Sequence, residues 1–342
     1  MRIAIIGAGA LGTALAGLLR IAADSESMPD PMDIWLIGSA SVAAHLDAIK
    51  THGLALELAD YLPPQLSAAF VSRLTAPITT LHVTDDPREA EPCELAIVLV
   101  KSYRSEEAGA QAAQLLAADG LVISLQNGIG NDALLTKHIP AERLILGTTL
   151  LGAAATGAGQ IKIASLNPTT LAWPPHLTER QQAYLRRLQR FFALAHASLT
   201  FAEDVERTLW TKLLINCAIN PLTALLNIPN GVLVETPAAH AIMRDVVREV
   251  LSVAPAVGVD LPYTVDEALA LADTAAISNR ANISSMLQDR RRGKRTEIDA
   301  LNGAVARIAH EHGVSVPINE TLARLIHALE TSAAVQVTLS DG

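Results

Sequence analysis

Residues 3–12 read Ile-Ala-Ile-Ile-Gly-Ala-Gly-Ala-Leu-Gly, a G-x-G-x-x-G turn set between an aliphatic strand, Arg2–Ile6, and an Ala/Leu helix from Ala10 to about Ala22. No other feature narrows the fold as far. Gly7 permits the tight turn, Gly9 lets backbone approach a pyrophosphate, and Gly12 lets the helix pack on the strand. Ala8, Ala10 and Leu11 complete the turn, and the helix behind them offers unpaired N–H groups and partial positive charge to phosphate. A strand–turn–helix of this kind predicts a dinucleotide site over Gly7–Gly12; the other reading is a bare structural turn. By itself the turn leaves nicotinamide and flavin both open.

The rest of the first half keeps the same rhythm. Asp33–Ile37 is a second strand and Ser41–Thr51 a second helix, with Ser41 as its expected cap. Leu95–Val100 is a continuous apolar run, as a parallel strand covered on both faces requires, and Leu121–Leu125 and Leu144–Leu150 repeat it. Punctuation by Gly, Thr and Asn between Gly152 and Trp173 predicts a hairpin-like sheet edge. Asp24–Asp33 reads as a polar loop and Tyr61–Pro77 as an irregular insertion. Beyond about Phe201 the texture turns helical: Glu203–Ala224, Pro237–Val257, Thr264–Ala276, Ile298–His312 and Glu320–Ala334 carry helical periodicity with no convincing strand between them. The expected fold is α/β: a Rossmann-type parallel-sheet domain over 1–200, followed by an all-α, substrate-binding domain over 201–342. A length of 342 residues suits two domains, and 50% hydrophobic with 3% aromatic content suits aliphatic helices on a buried sheet.

Composition excludes several partners. With 26 basic against 35 acidic residues the chain carries −9, so nothing attracts it globally to nucleic acid. The run Arg290-Arg291-Arg292-Gly293-Lys294-Arg295 has no aromatic interleaving and reads as a solvated face or a phosphate contact. Cys93 and Cys217 stand too far apart for a CxxC or a Cys/His ligand spacing, so neither a disulfide framework nor a metal site is expected. Met1-Arg2 runs directly into the first strand without a signal-peptide pattern, and the weakly charged stretch Leu144–Ile161 is broken by four glycines. A cytoplasmic protein without a membrane partner is the expectation.

The chemistry concentrates in Trp210–Thr223. Lys212, Asn216 and Asn220 fall at i, i+4 and i+8, and since four residues turn a helix by about 400°, the three share one stripe. Their neighbours are aliphatic. Asparagine is a poor choice inside a helix and costly to bury unpaired, so the line needs partners: a ligand, water or another polar segment. The competing reading is a solvated helix face. A lysine can stabilise a developing alkoxide and deliver its proton while amides fix hydroxyl and carboxylate groups, which suits a small oxo acid. A second polar segment runs from Asn282 through Ser284-Ser285-Met286-Leu287-Gln288-Asp289 to Thr296-Glu297-Ile298-Asp299; Asn282 and Ser285 are i, i+3 neighbours, and Glu297 can tune a lysine by opposing its charge. Lys101 and Gln126-Asn127-Gly128 follow apolar runs, at carboxyl ends of strands where ligands bind in parallel sheets. The second strand ends Ile37-Gly38-Ser39-Ala40-Ser41, with neither the acid that bonds a ribose 2′-OH nor an arginine. The missing carboxylate removes repulsion of a 2′-phosphate, and Ser39 or Ser41 can bond one, which points towards NADP.

In their order and spacing, the glycine turn, Val100-Lys101, Gln126-Asn127-Gly128, Lys212-x3-Asn216-x3-Asn220-Pro221 and Ser284–Asp289 through Thr296–Asp299 resemble the ketopantoate reductase (2-dehydropantoate 2-reductase) family. The resemblance covers roughly 1–20 and 95–310. It implies NADPH-dependent reduction of 2-dehydropantoate to pantoate, towards pantothenate and coenzyme A. It also implies Lys212 as general acid with Glu297 as its partner, and Asn216, Asn220, Asn282 and Ser285 on the substrate. Lys101 and Asn127 would stand between nicotinamide ribose and substrate. Gly7, Ala8, Gly9, Ala10, Leu11, Gly12 and Ser39, together with Glu297, would contact the cofactor. One departure is Ser39, where many members carry an arginine for the 2′-phosphate. The alternatives are a paralogue acting on another branched 2-oxo acid and a non-catalytic dinucleotide sensor. The sequence leaves a homodimer open.

Overall fold

A computed structural model describes residues 1–24, 32–58, 66, 68–278 and 280–332. The chain divides into two compact units, 1–126 with 131–205 and 127–130 with 206–342.

The first unit alternates strand and helix. Its elements are β1 (Arg2–Ile6), α1 (Ala10–Ala23), β2 (Asp33–Ile37), α2 (Ala43–His52), β3 (Ala55–Leu58), α3 (Ala68–Thr75), β4 (His82–Thr84) and β5 (Cys93–Val98), then α4 (Ser105–Leu115), β6 (Leu116–Ser124), α5 (Asn131–Leu135), β7 (Leu144–Gly157), β8 (Gln160–Ala172), α6 (Glu179–Leu194) and β9 (Leu199–Ala202). The strands order as β3-β8-β7-β6-β5-β1-β2-β4, with β9 also on β8. From β4 across to β7 every pairing is parallel, and β7–β8 is antiparallel. The cause is burial on both faces. Ile3 and Ile5 pack with Leu15, Leu18 and Leu36 on one side of the sheet, while Ala4 and Ile6 pack with Ala96, Val98 and Ala108 on the other. In the central strands the side-chain alternation therefore has no polar phase.

The expected parallel sheet and the Gly152–Trp173 hairpin are both present. Two local expectations need correction. Ser41 does not cap the second helix: residues 40–42 form a 3-10 turn, α2 starts at Ala43, and Ser41 Oγ instead lies 2.8 Å from Ser39 Oγ. Part of Tyr61–Pro77 is helix α3 rather than irregular chain, Phe70 and Leu74 being buried four residues apart; residues 61–65 and 67 lie outside the described residues. Most of the Asp24–Asp33 loop, residues 25–31, also lies outside them, as do the last two residues of the expected helix to Ala334.

The second unit is helical: α7 (Val205–Leu226), α8 (Asn230–Glu235), α9 (Pro237–Val253), α10 (Val265–Ser278), α11 (Ser285–Arg291), α12 (Asn302–Glu311) and α13 (Pro317–Ser332). Leu214, Cys217 and Ala218 of α7 share a core with Met243, Val246, Val247 and Val250 of α9, Ala272 of α10 and Val305 of α12. Among the described residues α7 is one helix long and apolar enough to cross a bilayer by length and composition, and 56% of its most apolar window is buried. Pro221 lies inside α7 and has no N–H, so the Cys217 carbonyl loses its i+4 donor. Asn302 Nδ2 supplies the replacement, 3.2 Å from that carbonyl oxygen, and also donates to Asn319 Oδ1 at 2.9 Å.

Candidate active site

Packing accounts for two of the three glycines. Gly7 has φ +121°, and a Cβ there would stand 2.8 Å from the Leu99 carbonyl carbon. A Cβ on Gly12 would fall 2.0 Å from the Gly7 oxygen. At Gly9 a Cβ would meet nothing within 4 Å. The space over Gly9 stands at the N-terminus of α1, whose first turn holds no acidic side chain. The first N–H groups of a helix have no intrahelical acceptors. A cradle that protein atoms leave open, beside donors awaiting an anion, fits the phosphates of a dinucleotide.

Ser39 stands two residues past the end of β2, and β2 itself is tied to the turn because Gly7 N–H donates to Ile37 O at 2.9 Å. The Ser39 and Ser41 hydroxyls meet there. Arg104 Nη1 donates to Ser39 Oγ at 2.9 Å and to Ser41 Oγ at 3.5 Å. Sequence reasoning missed Arg104, although it follows Lys101 by three residues. Lys101 is half-buried behind β5, and its carbonyl accepts from Arg104 N–H at 2.8 Å in a 3-10 turn over Ser102–Arg104. Buried Gln126 braces this loop, Nε2 donating to Val100 O at 3.1 Å and to Ser105 Oγ at 2.8 Å.

In the second unit, α7 carries Lys212 and Asn216 half-buried and Asn220 buried. Two devices bring polar groups to it. Ser284 caps α11 by accepting from Leu287 N–H at 3.1 Å, its Oγ lies 2.7 Å from Thr223 Oγ1 of α7, and Arg290 Nη1 donates to Ala224 O at 2.5 Å. Gly128, at φ +78°, lies so close to Ala300 that a Cβ would stand 2.2 Å from its carbonyl oxygen. Ile129 N–H donates to that same oxygen at 3.1 Å, and Asn127 Nδ2 comes within 3.5 Å of Glu297 Oε2.

A pocket results, lined by Asn127, Asn220, Ser285, Met286, Asp289, Glu297 and Leu301. Four of the expected residues share it. Asp289, Met286 and Leu301 were not foreseen as lining; Asp289 is buried at 7% exposure, and a buried carboxylate in a polar run was the available signal. Asn216 and Asn282 are not part of this lining, and Asn282 is exposed, its carbonyl accepting from Asn230 N–H at 2.9 Å. Lys212 also stands outside the lining but within the field of Glu297. Loss of hydration lowers its pKa to about 8, and the Glu297 carboxylate opposes that fall. A lysine in this range can hold a proton at neutral pH and release it to an oxygen that gains charge.

The description "Ketopantoate reductase PanE/ApbA" matches residues 3–175, and "Ketopantoate reductase PanE/ApbA C terminal" matches 204–330. The chain belongs to the ketopantoate reductase family. Among curated members of that family, a 2-dehydropantoate 2-reductase of Halobacterium salinarum is 34% identical over 327 residues, covering 95% of this chain and 98% of the relative. The crystal structure of a PanE/ApbA family ketopantoate reductase from Ralstonia eutropha superposes with TM-score 0.81 at 30% identity, over 98% of this chain and 100% of that one. A D-mandelate dehydrogenase, solved with NADH and anilino(oxo)acetate, gives TM-score 0.82 at 26% identity, over 98% and 100% of the two chains.

Proposed function

We propose that this member of the ketopantoate reductase family reduces 2-dehydropantoate to pantoate with NADPH, and that Lys212 is the general acid. The observation that carries the reading is the pairing of a desolvated lysine, pKa about 8, with Glu297 in the lining of a polar pocket. Bound NADPH supplies the hydride that reaches the ketone carbon. This chain's own residues do the rest. Lys212 Nζ gives its proton to the ketone oxygen as that oxygen gains negative charge, and is reprotonated from solvent. Glu297 counters the desolvation of Lys212, so that a useful fraction stays protonated at neutral pH. Asn220, Ser285 and Asn127, joined by Asn216 and Asn282, offer donors and acceptors for the substrate carboxylate and hydroxyl. Gly7–Gly12 would hold the pyrophosphate and Ser39 would serve the adenosine ribose, while Lys101 and Asn127 are the residues assigned to the nicotinamide ribose.

The curated relative's name and the Lys212/Asn216/Asn220 helix support this substrate over a non-catalytic dinucleotide sensor, which has no need of a proton donor. The test is consumption of reduced nicotinamide with 2-dehydropantoate and with a panel of branched and aryl 2-oxo acids, using NADPH and NADH in parallel. Saturable turnover highest with 2-dehydropantoate and NADPH is the expected result. Faster turnover of another oxo acid replaces the substrate and leaves the proton-transfer chemistry; binding without turnover of any of them overturns the reading.

A further inference from the structure

Glu297 sits in a stretch that no helix supports on its N-terminal side. Residues 294–296 lie outside any helix, between α11 and a 3-10 turn over Ile298–Ala300, yet Thr296 is only 3% exposed. A backbone N–H buried there is costly unless something accepts from it. The acceptor comes from α13: Thr296 N–H donates to Glu330 Oε1, 34 residues on, at 2.7 Å. Glu330 stands in the last turn of that helix, which holds no basic residue. A carboxylate at a helix C-terminus works against the helix dipole, so Glu330 does not serve its own helix. Other groups brace it. His327 Nδ1 lies 3.6 Å from Glu330 Oε2 and His327 Nε2 lies 2.9 Å from Asp299 Oδ1, while Arg295 Nη2 donates to Asp299 Oδ2 at 2.9 Å. His327 and Glu330 are i, i+3 neighbours on one face of α13. The chain on both sides of Glu297, at Thr296 and at Asp299, is tied to that face.

We propose that Glu330, braced by His327, is a positioning residue: by holding the backbone at Thr296 it keeps the Glu297 carboxylate where it lines the pocket and acts on Lys212. The proposal rests on reading Glu297 as the partner of a proton-donating Lys212. A glutamate side chain is long and flexible, so its carboxylate keeps one place only if its backbone is held. Glu297 is 6% exposed and shares the pocket lining with Asn127, whose Nδ2 comes within 3.5 Å of Glu297 Oε2. Among the described residues, Glu297 is the charged group whose field acts on Lys212. The influence of Glu330 on that lysine therefore passes through Glu297 and not through its own charge. Slackening Thr296 has a chemical consequence apart from stability: the field at Lys212 weakens. An ordinary surface ion pair between His327 and Asp299 has no need of the Thr296 N–H. Glu330 is moreover held at 21% side-chain exposure, against 45% for His327 and 49% for Asp299.

The experiment titrates Lys212 in the full-length protein by the pH dependence of its acylation with acetic anhydride, read at that lysine by peptide mass spectrometry. This readout needs neither substrate nor turnover. The wild-type midpoint is expected at about 8. Glu330→Ala should lower it by about half a pH unit to one pH unit, part of the range an adjacent opposite charge commands. Glu330→Gln retains an oxygen for the Thr296 N–H and should restore the wild-type midpoint. In a Glu297→Gln background, Glu330→Ala should move the midpoint no further. Glu330→Asp keeps the charge and withdraws the acceptor by one methylene; it should lower the midpoint by a smaller step, and it carries the test if Glu330→Ala does not fold. An unmoved midpoint in the variant that carries the test, an equal fall in Glu330→Gln and Glu330→Ala, or a fall that persists without Glu297 overturns the proposal. A kcat that drops uniformly with pH while the midpoint stays in place assigns Glu330 to stability alone and overturns it too. A wild-type midpoint that Glu297→Gln leaves unchanged overturns the Lys212–Glu297 pairing and the proposal with it. A Glu330-dependent midpoint in a protein that does not turn over 2-dehydropantoate upholds the positioning role and removes only the substrate.

Discussion

At the scale of single residues, Lys212 makes the sharpest predictions. Lys212→Ala should lower kcat for the oxo acid by about 10²- to 10⁴-fold, the usual worth of a positioned acid, with NADPH affinity nearly unchanged. Reduction should also decline as pH rises through about 8, where Lys212 gives up its proton, while the reverse oxidation gains over the same interval. A pH–rate profile in both directions measures this. The same shift affects stability. The folded pKa of about 8 lies below the unfolded value of about 10.4, so between these limits the unfolded chain binds more protons and stability grows with pH. Below pH 8 the cost of the buried charge is fully present. Lys212→Met should therefore raise the urea midpoint at pH 7 and raise it less at pH 10. The glycine turn separates stability from binding in a different way. Gly9→Ala meets no atoms and should cost under about 1 kcal/mol of stability, yet weaken NADPH binding by filling the cradle. Gly12→Ala drives a methyl into the Gly7 carbonyl and should cost about 2–3 kcal/mol or more. Thermal melts set beside nucleotide titrations distinguish the two. None of these roles needed coordinates to be suggested, because each residue type stands out against an aliphatic background. The contact of Arg104 with Ser39 did need them: 65 residues separate the two, and no local pattern announces it.

At the scale of elements, legibility followed burial. β1 and β5 were readable because covering both faces makes Ile3–Ile6 and Leu95–Val98 unbroken apolar runs, and α7, α9 and α10 because their apolar residues recur at helical spacing. The short helices α8 and α11 were not assigned, since at six and seven residues they hold too few periods to stand out. Asn282 illustrates the other failure. Spacing placed it on one face with Ser285, but residues 282–284 precede α11 and lie in no helix, and i, i+3 adjacency applies only inside a helix. The break in α7 allows a test at this scale. Asn302→Leu leaves the Cys217 carbonyl buried without its donor and should cost about 1–3 kcal/mol. Pro221→Ala returns the backbone N–H that the carbonyl lacks, so the double variant should lose less than the sum of the singles by about 0.5–2 kcal/mol. Denaturant melts of the four proteins give that coupling energy, and strict additivity would separate the two residues.

At the scale of the whole molecule, charge and connectivity set what the chain can do. Net charge is −9, and the one basic run is largely engaged: Arg290 holds the Ala224 carbonyl, Arg291 donates to Asn227 Oδ1 at 3.0 Å, and Arg295 pairs with Asp299 at 2.9 Å. With the net charge opposing a phosphate backbone and these arginines held against the protein's own groups, duplex DNA should pass unretarded in a mobility-shift assay at physiological salt. Connectivity carries a different message. Asn127–Gly130 belongs with the second unit although chain of the first unit runs on either side of it. The boundary is thus crossed three times, and a single cut at 205/206 yields a C-terminal piece that has lost Asn127 from its pocket and Ile129 from the Ala300 carbonyl. The helical half cannot be handed whole to another protein by one splice. Shuffling, gene fusion or splitting the gene at that point would each leave a wall of the pocket behind, so any descendant that keeps the pocket has to inherit both halves of the chain.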